Sequence, residues 1–174
     1  MIEVYDNLIS KNYLRDIQNY FIGGNAQWTY MPSMTYGNTE ENIQSFGFSI
    51  GICDHGNFQN TYPATLLKGL LYQIQEKTNK NQILRSRIDM TVYNPNKYRH
   101  EIHIDLPKEI DNITTIFYLN DSDGNTLLYD LNDNVLQEVE PVENRLLVFS
   151  GDIPHTGHSP SKNKSRVLIN TNYI

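Results

Sequence analysis

The sequence predicts a mainly β protein with supporting helices, its core a double-stranded β-helix (jelly-roll) of about eight strands. Beyond residue 83 the chain breaks into short alternating or apolar stretches at close spacing. Clusters such as Asn94-Pro95-Asn96, Asn120-Asp121-Ser122-Asp123-Gly124 and Asn132-Asp133-Asn134 punctuate them. Helical spacing is confined to the first 82 residues. A chain of 174 residues suits one domain. The expected division is therefore a single domain over 1–174, with 1–82 as helix-containing support and 83–174 as the roll.

Residues 2–5 read as a short strand. Ser10 caps a helix that carries Leu14, Ile17, Tyr20 and Phe21 on one face and stops at Gly23-Gly24-Asn25. From 25 to 60, Trp28, Tyr30, Met31, Met34, Tyr36, Phe46 and Phe48 sit among Gly, Asn, Ser and Pro, which predicts short strands and long loops. These aromatics are either loop anchors or the lining of a substrate entrance. Pro63 starts a second helix, whose stripe of Leu66, Leu67, Leu70, Leu71 and Ile74 runs to about Lys77. Strands are then expected at 88–93, around His103, at 113–119, 126–130, 135–139 and 146–149, through His155, and at 166–173.

The balance of 14 basic and 20 acidic residues gives a net charge of -6 with no Lys/Arg-rich run, which disfavours nucleic acid as a partner. The single cysteine, Cys53, precludes an internal disulfide. Cys53-Asp54-His55 has no third group to orient a nucleophile and reads as a local cluster. No apolar run reaches membrane-spanning length, and Met1 to Asp6 lack the features of a signal peptide. The expectation is a soluble, cytoplasmic protein away from any membrane.

The chemistry concentrates at His103-Ile104-Asp105. On a strand, residues two apart share a face, so this imidazole and this carboxylate converge. A second imidazole would complete a two-His, one-carboxylate face with open positions, a set that suits Fe(II) binding substrate and oxygen together. His155, on the seventh strand of a roll, is the expected third metal ligand, with His158 as the alternative. His100 and His158 lie three residues from the expected ligands, an offset that points to the opposite face of a regular strand. Arg166 opens a strand whose same-face neighbours Leu168, Asn170 and Asn172 make a polar inward face suited to anchoring an acidic co-substrate. Tyr118 and Tyr93 are hydroxyl donors that could reach the same carboxylate.

Residues 83–174 resemble the catalytic core of the prolyl-4-hydroxylase-type Fe(II)- and 2-oxoglutarate-dependent dioxygenases. The resemblance rests on Val92-Tyr93, His103-Ile104-Asp105, Ile116-Phe117-Tyr118-Leu119-Asn120, Glu140-Pro141, Asn144-Arg145-Leu146-Leu147-Val148-Phe149, His155 and Arg166, in that order. It implies that His103, Asp105 and His155 bind Fe(II). It also implies that Arg166 pairs the distal carboxylate of 2-oxoglutarate with help from Tyr118 and Tyr93. O2 is then the second co-substrate, ascorbate an optional reductant, and succinate and CO2 the by-products. Hydroxylation of a C–H bond follows from Asp105, since relatives that halogenate lack the carboxylate. The expected partner is a peptide or small-molecule substrate, with a peptidyl prolyl or other amino-acid group favoured by resemblance. The chain departs from the family pattern at Gly124-Asn125-Thr126, where a Gly-Gly is common, and in the Asn- and Lys-rich loop 94–102, expected as a lid. A cupin-like metalloenzyme and a non-enzymatic jelly-roll binding module are the rival readings.

Overall fold

The computed structural model describes residues 1–35 and 44–174. The expectation for Tyr36 lies outside the described residues. Two helices pack on one face of a large antiparallel sheet, and a small sheet covers part of the other face. In chain order the elements are β1 (Ile2–Tyr5), α1 (Lys11–Phe21), β2 (Thr29–Met31), β3 (Gly47–Asp54), β4 (Asn57–Phe58), α2 (Tyr62–Lys77), β5 (Ile83–Val92), β6 (Ile113–Tyr118), β7 (Thr126–Tyr129), β8 (Val135–Val139), β9 (Arg145–Ser150), β10 (His155–Gly157) and β11 (Ser165–Tyr173). The large sheet has the order β1-β9-β6-β11-β5-β3-β2, with β4 added to β3, and the small one β10-β7-β8. Strands from both halves of the chain therefore enter the large sheet.

Both helices begin as the sequence predicts. The Ser10 hydroxyl accepts from the Tyr13 amide and the Thr61 hydroxyl from the Ala64 amide, with Pro63 in the first turn of α2. Their apolar stripes meet one side of the large sheet. Ile17, Phe21, Leu67, Leu70, Leu71 and Ile74 form one core with Ile88, Phe117, Val148, Val167 and Ile169. Strand alternation sends the intervening residues to the other side. There Ile116, Tyr118, Leu147, Phe149 and Leu168 pack with Leu128 and Val139 of the small sheet. With both faces covered, every residue of β6 is buried.

The alternation of β5 is longer than expected. It starts at Ile83, and its register against β11 pairs Thr91 with Arg166, Asp89 with Leu168, Arg87 with Asn170 and Arg85 with Asn172. A row of polar side chains from both strands thus faces away from the helices.

The strand expected around His103 does not form. Residues 99–103 instead run beside β10 with single bridges, Arg99 to His158 and His103 to His155. His103 and His155 exchange both backbone hydrogen bonds, at 3.0 and 2.9 Å. Asp105 follows in a bend, and Pro107, which has no N–H to add to a ladder, comes two residues later. Loop 94–102 is stitched to the end of β10 and the segment after it, through His100 N–H to Gly157 O, Asn94 N–H to Pro160 O and Ser159 N–H to Tyr98 O. Among the described residues no helix is long and apolar enough to cross a membrane.

Phe117 is fully buried where β6 meets the helices. Phe117→Ala should cost about 3–5 kcal/mol of stability through the cavity it leaves. Urea denaturation of the metal-free protein measures this, and a loss below 1 kcal/mol would contradict the packing described.

Candidate metal centre

His103, Asp105 and His155 come together at the mouth between the two sheets. One ligand atom from each lies within 4.8 Å of the others, so the three could hold a metal ion. The bridge between residues 103 and 155 sets the imidazoles side by side, with ring centroids 4.6 Å apart. Phe149 packs edge-on against His155 at 4.9 Å. Each imidazole has its Nδ1 at a backbone carbonyl, His103 at Glu101 O (3.0 Å) and His155 at Ile153 O (3.2 Å). A carbonyl can only accept, so both rings carry the proton on Nδ1 and present the Nε2 lone pair. Those Nε2 atoms lie 3.7 and 3.9 Å from the Asp105 carboxylate.

Asp105 is gripped from the large sheet. Its side chain is 2% exposed, and Arg85 Nη2 sits 3.2 Å from Oδ1. Asn170 and Asn172 donate to Oδ2 at 3.2 and 3.1 Å, and Asn172 also donates to Thr114 Oγ1. Burial opposes charge on this carboxyl, but His155, Arg85, His103 and the Asn172 amide outweigh it and hold its pKa well below the usual carboxylate range. The polar face read from β11 is therefore a set of carboxylate clamps. Arg85 was not legible as a partner, because the alternation of β5 was read only from Ile88.

A cavity leads from this group into the roll, lined by His100, Arg87, Asp89, Thr91, Asn170 and Arg166 among others. Arg166 is part of its wall and is 7% exposed. Its Nη2 donates to Thr126 Oγ1 at 2.8 Å, and its guanidinium lies 5.7 Å from the Tyr118 ring centre. Glycines make room for it. A Cβ on Gly157 would stand 3.1 Å from both terminal nitrogens, and one on Gly124 would stand 2.9 Å from Cδ. At Gly124 the closest clash would be with the His158 backbone carbonyl, so the absent side chain lets the chain after β10 approach as well as the Arg166 stem. Among the described residues no carboxylate pairs with Arg166.

The other candidates fall unequally. Tyr118 is fully buried; its hydroxyl shares a 2.7 Å hydrogen bond with Thr126 Oγ1 and also interacts directly with the Arg166 guanidinium. Tyr93 is 54% exposed just past the end of β5 and does not line the cavity, whereas Thr91 on the same face does. His158 also lies outside the lining. The parity argument against His100 fails. The segment before His103 is not a regular strand, and His100 is buried in the cavity wall, with Nε2 3.2 Å from Ser159 Oγ.

Several buried polar atoms of the lining lack a hydrogen-bond partner among the described residues: Arg166 Nε, His100 Nδ1, Thr91 Oγ1, Asn170 Oδ1 and Arg87 Nε. Native interiors rarely leave such atoms unpaired, so their clustering marks a site built for a polar ligand. The donor set fits a divalent metal with open positions, with neutral imidazoles, an ionised carboxylate and fixed tautomers. The unpaired guanidinium fits an anionic group lying deeper in the cavity.

Burial lowers the pKa of both His155 and His100 from 6.5 to about 4. Both rings are then neutral at pH 7, as metal binding requires of His155. In the unfolded chain they take up protons near pH 6.5, while the folded protein resists until about pH 4. Stability of the metal-free protein should therefore fall as pH drops through that window, with protons taken up on unfolding. Melting temperatures measured from pH 7 to pH 4 check this, and a flat profile would contradict it.

The comparisons with known proteins give a family and a fold. The family model described as the 2OG-Fe(II) oxygenase superfamily matches residues 88–174, half of the chain. No curated protein matches the chain by sequence. Among solved structures, a prolyl hydroxylase from Trichoplax adhaerens, in complex with a hypoxia inducible factor oxygen degradation domain peptide fragment, superposes with a TM-score of 0.70 at 16% identity, covering 99% of this chain and 83% of that one. A 2OG-Fe(II) oxygenase family oxidoreductase from Burkholderia pseudomallei gives 0.74 at 12% identity, over 99% and 84% of the two chains. A Pseudomonas putida prolyl-4-hydroxylase gives 0.63 at 15% identity, over 99% and 91%. At these identities the likeness is one of fold, and the jelly-roll expectation is met.

Proposed function

Because the chain belongs to the 2OG-Fe(II) oxygenase superfamily, an enzyme family that uses Fe(II), 2-oxoglutarate and O2, we propose that it hydroxylates a C–H bond of a peptide or amino-acid substrate, with His103, Asp105 and His155 holding the iron and Arg166 anchoring 2-oxoglutarate. The observation that carries this reading is the buried guanidinium of Arg166, with no carboxylate partner among the described residues, in the wall of a cavity that His103 and His155 of the His-Asp-His group also line. A cupin-like metal enzyme would not require that arginine, and a binding module would require neither feature.

The residues divide the work. The clamps on Asp105 keep it ionised and aimed, and the two carbonyl-bound imidazoles offer Nε2 without a proton to displace. Arg166, braced by Thr126 and by the Tyr118 ring, presents N–H groups to a carboxylate in a site largely closed to water, where a charge-assisted bond is strong. Bound Fe(II), with O2 and 2-oxoglutarate, supplies the oxidising power, and succinate and CO2 are released. Hydroxylation suits this chain because Asp105 fills the position that a halide would need. A peptide substrate is supported by the fold shared with the Trichoplax protein, whose structure holds a peptide fragment.

Arg166→Ala should weaken 2-oxoglutarate binding by about 2–5 kcal/mol, the cost of removing one partner from a buried charged pair. Calorimetric titration with iron replaced by Zn(II) measures this. Unchanged affinity would overturn the assignment and direct attention to Lys162 and Lys164, both of which are exposed. A screen of peptides and free amino acids for substrate-stimulated succinate release then tests the activity itself.

A further inference from the structure

The walls of the cavity carry an uneven charge. Among the described residues, Arg87, Arg166 and Asp89 line it, and the Arg85–Asp105 pair stands beside it, so three guanidinium groups are set against two carboxylates. Asp105 takes Arg85, and Asp89 takes Arg87 at 2.9 Å and the Ser49 hydroxyl at 2.8 Å. Asp54, opposite Arg85 in the register, is largely exposed and paired with His55. Loading the site with Fe(II), charge +2, and 2-oxoglutarate, charge −2, leaves the sum unchanged. One positive charge remains over, in a cleft where local potential favours an incoming anion.

With Arg166 taken by the co-substrate, Arg87 is the other lining guanidinium with an unused donor. Arg87 lines the cavity, with its side chain 22% exposed. Its Nε is close enough to Asp89 for an ion pair, yet its N–H is not directed at the oxygen and has no hydrogen-bond partner. On one flank, in register, stands Asn170, whose amide is committed to Asp105. On the other stands Gly51 of β3, where a Cβ would meet nothing within 4 Å among the described residues. Within those residues the sheet leaves open space beside a guanidinium that lies one strand away from a clamp on the metal-binding carboxylate.

We infer that Arg87 is the anchor for a carboxylate on the primary substrate, so that the enzyme acts on a free amino acid or on an acidic segment of a peptide. The inference rests on the preceding assignment of Arg166 to 2-oxoglutarate. Arg166 pairs with Thr91 in the register, and four residues of strand, about 13 Å, separate Thr91 from Arg87, so the two guanidinium groups enter the cavity from different levels of the sheet. Asp89, held by Ser49, keeps the guanidinium close by charge without taking a hydrogen bond from it, so its N–H groups can present the planar fork that a carboxylate matches.

Arginine side-chain NMR tests this on the full chain loaded with Zn(II) and saturating 2-oxoglutarate. Arg87→Lys and Arg166→Lys assign the two Nε–H resonances. The probes are N-acetylglycinate, with a main-chain carboxylate, N-acetylaspartic acid α-amide, with a side-chain carboxylate, and the neutral N-acetylglycinamide. At least one carboxylate probe should shift the Arg87 resonance saturably, at concentrations lower than the neutral probe needs by about tenfold or more. The Arg166 resonance should not move. A response to the first probe alone points to a free amino acid or a chain terminus, and to the second alone to an acidic side chain. Saturation transfer from protein to that probe should vanish in Arg87→Gln/Asp89→Asn, which removes both charges and orphans neither. The proposal is overturned if neither carboxylate shifts Arg87, if the neutral probe does so equally well, or if transfer survives in the double variant. An Arg166 resonance that ignores 2-oxoglutarate would instead count against the co-substrate assignment.

Discussion

The seating of the Asp105 carboxylate is the constraint on which the site depends. Asp105 sits in a bend, outside any strand, yet its side chain is almost fully enclosed. A carboxylate taken out of water needs partners for its lone pairs, and an unpartnered one would take a proton and lose its use as a ligand. The large sheet provides those partners from two adjacent strands, Arg85 on β5 and Asn170 with Asn172 on β11. Their register, Arg85 beside Asn172 and Arg87 beside Asn170, comes from the same backbone ladder that packs Ile88, Val167 and Ile169 against the helices. Core and site are thus two faces of one pair of strands, and a slip of one residue would exchange them.

The rest of the centre follows from a second, smaller constraint. The reciprocal backbone bonds between His103 and His155 place two imidazoles together without a continuous strand. Local carbonyls then set their tautomers. What remains is a cavity wall with several polar atoms unsatisfied. Folded proteins accept such atoms where a ligand completes them, at some expense in stability. Gly157 belongs to the same logic, since it forgoes a side chain where the Arg166 guanidinium passes, and Gly124 does so where both the His158 backbone and the Arg166 stem come close.

Much of this was legible in the sequence, because two simple periods encode it. The helical stripe ending at Ile74, the alternation of β11 and the turn clusters after residue 94 place both helices, the polar face of Asn170 and Asn172, and Arg166 at its head. The same alternation, carried back from Thr91 and Asp89, would have reached Arg87 and Arg85. Their signal was present, but the strand was read as starting at Ile88. His100 was misplaced for a different reason. Parity holds only along a regular strand, and residues 99–105 pair with β10 through isolated bridges, so a three-residue offset there does not choose a face. Tyr93 shares the right parity but lies beyond the end of β5, where the surface exposes it. Thr126 gave no sequence signal, because its role comes from β7 passing beside Arg166 and Tyr118 in the folded protein.

The most direct measurement is the metal affinity of a protein in which the clamps, rather than the ligands, are removed. Asn170→Ala/Asn172→Ala leaves His103, Asp105 and His155 in place and strips Oδ2 of both its amide donors. Anaerobic titration of Fe(II) in the presence of 2-oxoglutarate, followed by the visible charge-transfer band of the complex, reports the affinity. Loss of outer partners commonly costs about 10–100-fold in metal affinity. The account predicts one Fe(II) per wild-type chain and a loss of that order in the double variant, with Asp105→Ala abolishing the band. Unchanged affinity in the double variant, or a band that survives without Asp105, would contradict it.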